Sequence, residues 1–307
     1  MEISALKIKE LRERTGAGML DCRNALMETQ GDMEAAIAYL REKGIAKAAK
    51  KAGRIASEGA VFIHLDGDRS GLMLELNCET DFVAKNEEFQ TLSRTLLDYF
   101  VRHAAEEGRV VDMQDRYYDK DVEVMVTNAI AKIGENIRPR RFIRFVAKED
   151  SFIHSYLHMG GRIGVLMEVK GPREILGKPE IREMADDLAM HIAAMNPVCV
   201  SRKDFPSSLI ESERAIYRAQ VLEMGKPAEM AEKIVEGKLQ KFIKENTLLD
   251  QMFVKNQDLA VSAHVTAVAR TVGGTVEIAR FARFELGEGI EKEKKDGASE
   301  MQSNATK

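Results

Sequence analysis

Cysteine is scarce in this sequence. Its three cysteines, Cys22, Cys78 and Cys199, lie far apart and form no C-x-x-C pair. That spacing argues against a disulfide framework and fits reduced thiols in a cytosol. Cys22 and Cys78 sit among apolar neighbours and are expected to be small buried residues. Long hydrophobic runs are also missing, since no stretch approaches the ~20 apolar residues of a membrane-spanning helix. Met1–Glu10 mixes charged and apolar residues where a signal peptide would carry an apolar core. The expectation is a soluble, cytoplasmic protein. Nor is there a large excess of one charge. Forty-six Lys and Arg against 50 Asp and Glu leave a formal −4, which argues against a broad nucleic-acid or membrane binder. What is present is apolar residues at 44% of 307 positions, enough for packed cores in a chain long enough for two or three domains.

Residues 1–44 read as three short helices. Ser4 can cap the first, which places Ile8 and Leu11 on one face. Thr15-Gly16-Ala17-Gly18 breaks it. Met19, Cys22 and Leu26 stripe the second, and Gly31-Asp32 breaks again. Met33, Ala36, Ile37 and Leu40 stripe the third, with Gly44 expected as its C-cap. Such a core suits a binding module and is too small to enclose an active site. Residues 45–57, with Lys47, Lys50, Lys51 and Arg54 among alanines, form a basic, helix-prone connector.

From Glu58 the period changes. Ala60–Leu65 and Leu72–Leu76 read as a β-hairpin around Asp66–Gly71, followed by a helix striped by Phe89, Leu92, Leu96, Phe100 and Ala104. A further helix is predicted over Val122–Gly134, and a strand over Arg141–Val146. The order then recurs, with a hairpin around Gly160-Gly161, a helix over Ile181–Ala194, a helix marked by Val261, Val265, Val268 and Val272, and a strand at Arg280–Phe284. Gly71-Leu72-Met73-Leu74-Glu75-Leu76 resembles Gly164-Val165-Leu166-Met167-Glu168-Val169, 93 residues on, and Arg141-Phe142-x-Arg144-Phe145 resembles Arg280-Phe281-x-Arg283-Phe284, 139 residues on. These matches suggest a duplication, and the difference of 46 predicts an insertion in the second copy. Residues about 205–252 supply it as two helices broken at Gly225-Lys226-Pro227. The expected class is α+β. A three-helix module plus connector covers 1–54, related α+β subdomains cover 55–147 and 148–286, and a charged tail covers 287–307.

The search for chemistry returns little. There is no G-x-x-x-x-G-K-[ST] loop and no H-E-x-x-H helix. Gly160-Gly161-Arg162-Ile163-Gly164 lies inside a hairpin and reads as a tight turn. His154 and His158 have no third ligand nearby in sequence, and Asp66 and Asp68 read first as turn formers. No nucleophile–base pair can be nominated. The segment that draws notice is Asn77-Cys78-Glu79-Thr80-Asp81-Phe82-Val83-Ala84-Lys85-Asn86, which joins a strand to a helix. Phe82 and Val83 are apolar in a polar connector. Two readings are open. Either Asp81 caps the helix while Phe82 folds onto the core as a hydrophobic staple, or Phe82 stands at the loop as an aromatic wedge for a partner.

Several of these motifs are also those of a known family. Leu11-Arg12-x-x-Thr15-Gly16-Ala17-Gly18-Met19-Leu20-Asp21-Cys22-Arg23-x-Ala25-Leu26 and the run Glu75–Asn86 are long and specific. Tyr156-x-His158, Arg162-x-Gly164-Val165-Leu166, His191-Ile192-Ala193-Ala194, Gly225-Lys226-Pro227 and Gly287-Glu288-Gly289-Ile290-Glu291-Lys292 accompany them. Through these motifs the sequence resembles the bacterial translation elongation factor Ts family, guanine-nucleotide exchange factors for elongation factor Tu. The stretch around 105–120 matches no motif.

The resemblance implies an N-terminal module like a ubiquitin-associated domain and a two-subdomain α+β core whose second half carries a helical hairpin. It implies that Thr80, Asp81, Phe82 and Val83 displace Mg²⁺ from the partner's nucleotide site, with the Phe inserting between helices of the GTPase domain. It further implies partner contacts at His158, Arg162, Met19 and Leu20, and a hairpin that touches either the partner or a second copy in a homodimer. No cofactor, bound metal, direct nucleotide binding or covalent chemistry is expected, so the protein would not be an enzyme. The competing expectation is an RNA-binding or adaptor protein acting through the N-terminal module and the basic connector.

Overall fold

Capping side chains and glycines punctuate the N-terminal helices α1 (Ala5–Thr15), α2 (Met19–Glu28) and α3 (Met33–Ala49). Ser4 Oγ accepts from the Lys7 amide, Gly16 turns left-handed at φ 67°, and Asp32 accepts from the Ala35 amide. Leu11, Cys22, Ala25, Leu26 and Ala36 form the small core of this module. The architecture is known from a computed structural model, which describes residues 3–114, 116–224 and 227–291. Gly225 and Lys226 of the hairpin motif, and the tail from residue 292, lie outside the described residues.

The expectation that Gly44 caps the third helix is corrected: α3 runs on to Ala49. The alanines that follow favour helix, and one internal glycine costs only about 1 kcal/mol. Here that glycine allows close approach to another helix, since a Cβ built on Gly44 would lie 3.7 Å from the Ala131 methyl and 3.8 Å from Thr127. The first part of the predicted connector is thus helix packed on the core.

The chain continues as β1 (Glu58–Asp66), β2 (Ser70–Cys78), α4 (Asp81–Ala84), α5 (Glu87–His103), β3 (Val111–Asp112), α6 (Lys120–Ile133) and β4 (Ile137–Val146). The strands form an antiparallel sheet of order β1-β2-β4-β3. Leu72, Leu74 and Leu76 face α5 and α6, while Met73 faces the other way. The strand is buried on both faces, which explains its nearly unbroken apolar run. The stretch that matched no motif supplies β3, and its Tyr118 packs edge-on against Phe100 and Phe142.

The second half follows the same plan: β5 (Ser151–His158), β6 (Ile163–Lys170), α7 (Arg173–Leu176), α8 (Pro179–Met195), the hairpin α9 (Ser207–Glu223) and α10 (Ala228–Asn246), a small ribbon β7 (Met252–Phe253) and β8 (Asn256–Ala260), then α11 (Val261–Thr271) and β9 (Glu277–Glu285). The sheet order is β5-β6-β9. Duplication is visible position by position. Buried Phe89, Leu92, Leu96 and Phe100 of α5 have counterparts 92 residues later in buried Ile181, Met184, Leu188 and Ile192 of α8. Buried Val122, Val126 and Ile130 of α6 match Val261, Val265 and Ala269 of α11. Both central strands are irregular at the same place, after Glu75 and after Glu168.

The two sheets meet through Val61, Met73, Ile143, Phe145, Ile153, Leu166, Ala282 and Phe284. The duplicated arginines cross this boundary. Arg141 Nε donates to Glu75 at 2.7 Å while its guanidinium lies 4.4 Å from the centre of the Phe284 ring. Arg280 Nε donates to Glu168 at 2.7 Å while its guanidinium lies 4.3 Å from the centre of the Phe145 ring. Each copy therefore pairs its own carboxylate and stacks on the other copy's phenylalanine.

Burial sets the acid side of the stability profile. His191 is fully buried; its Nδ1 accepts from the Val254 amide at 3.2 Å, and its Nε2–H points to Gln251 Oε1 at 2.9 Å. Burial is the main cause that holds His154, His191 and His264 below the ordinary histidine value of 6.5. Burial pushes the Glu168 carboxyl up, but Ser151, the Lys148 amide and Arg280 outweigh it and hold it below 4.5. All these groups bind fewer protons when folded, so stability rises with pH. The histidine contribution is complete above pH 6.5 and is lost as pH falls through the folded values; the Glu168 contribution is lost below 4.5. Melting temperature should be level between pH 7 and 8 and fall progressively below the histidine value. A level profile down to pH 5 would contradict this account.

Candidate functional site

Strand β2 ends at Cys78, and the chain turns at once into the single-turn helix α4. Thr80, not Asp81, is the N-cap: its Oγ1 accepts from the Val83 amide at 3.3 Å. Asp81 occupies the first helical position and pairs with Lys85 at 3.1 Å, both well exposed. Val83 and Ala84 pack against the first core, and Gln90 Nε2 donates to the Ala84 carbonyl at 2.7 Å. Asn86 then caps α5 by accepting from the Glu88 amide at 2.8 Å.

Phe82 is left outside, 80% exposed. The staple reading, in which this ring folds onto the core, is therefore excluded. Its counterpart 92 residues later in α7 is Glu174, also exposed, whereas Ile175 and Leu176 beside it are buried. The fold asks only for a solvent-facing residue here, and one copy meets that demand with a charge. A phenylalanine at the same place is not explained by packing.

The mount beneath the ring is polar and firm. The Glu135 carboxylate accepts from the Glu79 amide at 3.1 Å, the Thr80 amide at 3.0 Å and the Thr80 hydroxyl at 2.7 Å. In return the Glu79 carboxylate accepts from the Asn136 amide at 2.6 Å and lies 3.4 Å from Arg54. Cys78 Sγ points at the Thr80 carbonyl, 3.1 Å away. Burial first, and the Glu135 charge second, push the Cys78 thiol up to about 12. Burial likewise raises Cys22 and Cys199. No thiolate is available at neutral pH. All three cysteines should resist maleimide in the native protein at pH 8 and react in denaturant, which mass spectrometry of the adducts would show. Rapid native labelling of Cys78 would mean that this turn opens readily.

Sequence reasoning did not find Glu135. The signal was available: an acidic residue directly after the helix-capping Gly134, where the second copy carries Gly274.

The other residues implied by resemblance stand on separate elements. Met19 and Leu20 open α2 and are exposed. His158 ends β5, half-buried, with its Nδ1 3.0 Å from the Tyr156 hydroxyl. Arg162 is exposed at the β5–β6 turn, where neighbouring Gly161 lies against β1: a Cβ there would meet the Val61 carbonyl at 2.6 Å. Met159 in the same turn is 74% exposed. No group of His, Cys, Asp and Glu suited to a metal occurs among the described residues. A cleft of about 570 Å³ between the N-terminal helices and α6 is lined by the cations Arg14, Arg41, Lys43, Lys47 and Lys132. Arg14, Lys47 and Lys132 are ion-paired, with Glu34, Asp21 and Glu88 respectively, and Lys43 lies 5.3 Å from the centre of the Tyr39 ring. Lys51 and Arg54 of the basic connector hold this chain's own Gly134 carbonyl and Glu79, while Lys50 beside them is exposed.

The family profile described as elongation factor TS matches residues 79–288. The chain belongs to the elongation factor Ts family. The elongation factor Ts of Halothermothrix orenii is 46% identical over 310 aligned residues, covering 100% of both chains. Those of Bdellovibrio bacteriovorus and Nitratiruptor sp. are each 45% identical, over 98% of this chain and 98% of their own. The profile begins at the foot of the clamped turn and covers the Thr80–Val83 segment, His158 and Arg162; the full-length elongation factor Ts relatives extend the similarity through the N-terminal module with Met19 and Leu20.

Proposed function

We propose that this chain is a nucleotide exchange factor that docks on GDP-bound elongation factor Tu, disturbs its Mg²⁺ and phosphate site with the Thr80–Val83 turn, and so promotes GDP release and GTP binding during translation elongation. The observation that carries the reading is Phe82, 80% exposed on a clamped turn whose duplicate carries an exposed glutamate. A wedge needs no catalytic group. It needs apolar area that gains by burial in a partner, up to roughly 2–3 kcal/mol for a phenylalanine. It also needs a mount that does not yield, and β2, α5 and the Glu135 clamp supply one.

Mg²⁺ in a GTPase site bridges phosphate oxygens and protein ligands and neutralises charge there. Helices spread by an inserted ring hold that ion and the phosphates less well. The factor and the nucleotide then weaken each other through one coupling free energy, and the effect is reciprocal. GDP leaves faster, and incoming GTP expels the factor. Exposed Met19 and Leu20, His158 and Arg162 provide further contacts, so that affinity does not rest on one ring. The factor makes and breaks no covalent bond and works in the cytoplasm.

The test is release of a fluorescent GDP from elongation factor Tu of the same organism. Sub-stoichiometric amounts of this chain should accelerate release many-fold, and excess unlabelled GDP should reverse complex formation. Release at the spontaneous rate would sink the reading.

A further inference from the structure

We propose that Glu135 is a positioning residue for nucleotide exchange: its carboxylate holds the Phe82 turn in the presented conformation. This rests on the reading of Phe82 given above. The duplication provides an internal control. In the second copy the residue matching Thr80 is Pro172, which has no amide hydrogen to donate, and the residue matching Glu135 is Gly274. There the turn is held by apolar packing instead: a Cβ on Gly274 would lie 2.6 Å from Ile175 Cδ1, so a side chain there would have to displace that buried methyl. Ile175 and Leu176 are buried, and α7 presents nothing apolar to solvent.

The first copy has exchanged that arrangement for a polar one. None of the α4 residues is fully buried. Apolar packing alone therefore holds α4 less firmly than α7. Glu135 makes up the difference with three hydrogen bonds to two adjacent residues, two through Oε2 and one through Oε1. Hydrogen bonds to a carboxylate are roughly twice as strong as neutral ones, and three of them at one helix start fix its direction as well as its position. The donors, Glu79 and Thr80, lie three and two residues before Phe82, at the start of the turn that carries it, so their geometry sets where the ring points. The polar exchange occurs in the same copy that presents an exposed aromatic ring, which ties the clamp to presentation rather than to the duplicated fold.

The experiment compares Glu135→Ala and Glu135→Gln with wild type and with Phe82→Ala in fluorescent-GDP release from elongation factor Tu across factor concentrations. Glu135→Ala should lower the rate at saturating factor about tenfold, the scale of a lost charge-assisted contact, with little change in the half-saturating concentration. Glu135→Gln, whose carbonyl can still accept from both amides, should fall between Ala and wild type. A second readout uses the absence of tryptophan from the chain. With Phe82→Trp as sole reporter, adding Glu135→Ala should lower the fluorescence anisotropy of that ring. Wild-type rates for both Glu135 variants alongside a slow Phe82→Ala would overturn the clamp and leave the exchange reading standing. A wild-type rate for Phe82→Ala would overturn the role of Phe82 and the clamp with it, whereas release at the spontaneous rate with the wild-type chain would overturn the exchange reading itself. If Glu135→Ala fails to fold, Glu135→Gln decides: wild-type rate and wild-type anisotropy together would overturn the inference.

Discussion

Replacing Phe82 with alanine is expected to slow factor-stimulated GDP release about 30-fold or more while leaving the melting temperature unchanged. The two halves of this expectation have separate causes. The ring is 80% exposed, so its removal opens no cavity and should change folding stability by no more than about 0.5 kcal/mol. In the complex the same ring becomes a buried aromatic anchor, and truncating such an anchor costs ~2 kcal/mol or more. Circular dichroism melts and stopped-flow GDP release on the same preparations separate the two. Phe82→Leu should retain part of the activity, because it keeps apolar area while losing the ring's reach. A large fall in melting temperature would show the ring to be part of this chain's own packing.

The largest effect on stability should come from Glu75. Its carboxylate is fully buried and accepts from Arg140 at 3.0 Å, Arg141 at 2.7 Å, the Gly287 amide at 2.9 Å and Asn77 at 3.2 Å. It therefore joins strands β2 and β4 of the first copy to the segment that follows β9 of the second. Glu75→Gln leaves little-exposed Arg140 without its carboxylate and Arg141 with only the half-exposed Glu288, 3.1 Å away. Breaking a buried pair in this way costs about 3–5 kcal/mol, mostly the penalty of the uncompensated charge rather than the net worth of the pair. Urea denaturation should show the midpoint falling with little change in slope. The duplicate position gives the contrast. Glu168→Gln should cost less, because its one arginine, Arg280, keeps Glu107 at 2.5 Å, whereas Glu75 also neutralises Arg140. Equal losses at the two positions would mean that Arg140 adds nothing to the cost of removing the Glu75 charge.

Much of this fold was legible in the chain. The helical spacing of Phe89, Leu92, Leu96 and Phe100, the run Leu72–Leu76 and the two short internal matches led to the hairpins, the long helices, the duplication and the inserted helical pair. Periodicity reports burial, and these elements are built by burial. Features fixed by pairwise contact were not legible. Gly44 carries a local stop signal, and the close packing of α6 against it, together with the helix-favouring alanines that follow, outweighs that signal. The strand at Val111–Asp112 is too short to show a period. At the site, the sequence pointed to Phe82 but left its direction open between core and solvent. The Glu135 clamp joins residues 55 and 56 positions apart, which no local pattern encodes. Comparing the two copies position by position recovers part of this, because Gly274 and Pro172 mark where the second copy does without the clamp.

The most direct test of the central claim places 4-fluorophenylalanine at position 82 and follows its fluorine resonance. In the free protein the line should be narrow and close to that of a solvated ring. On addition of GDP-bound elongation factor Tu it should shift and broaden as the ring enters the partner, then return when GTP dissociates the complex. A resonance that stays at its free position while a complex forms and GDP is released would contradict the account, because exchange would then proceed without the ring leaving water.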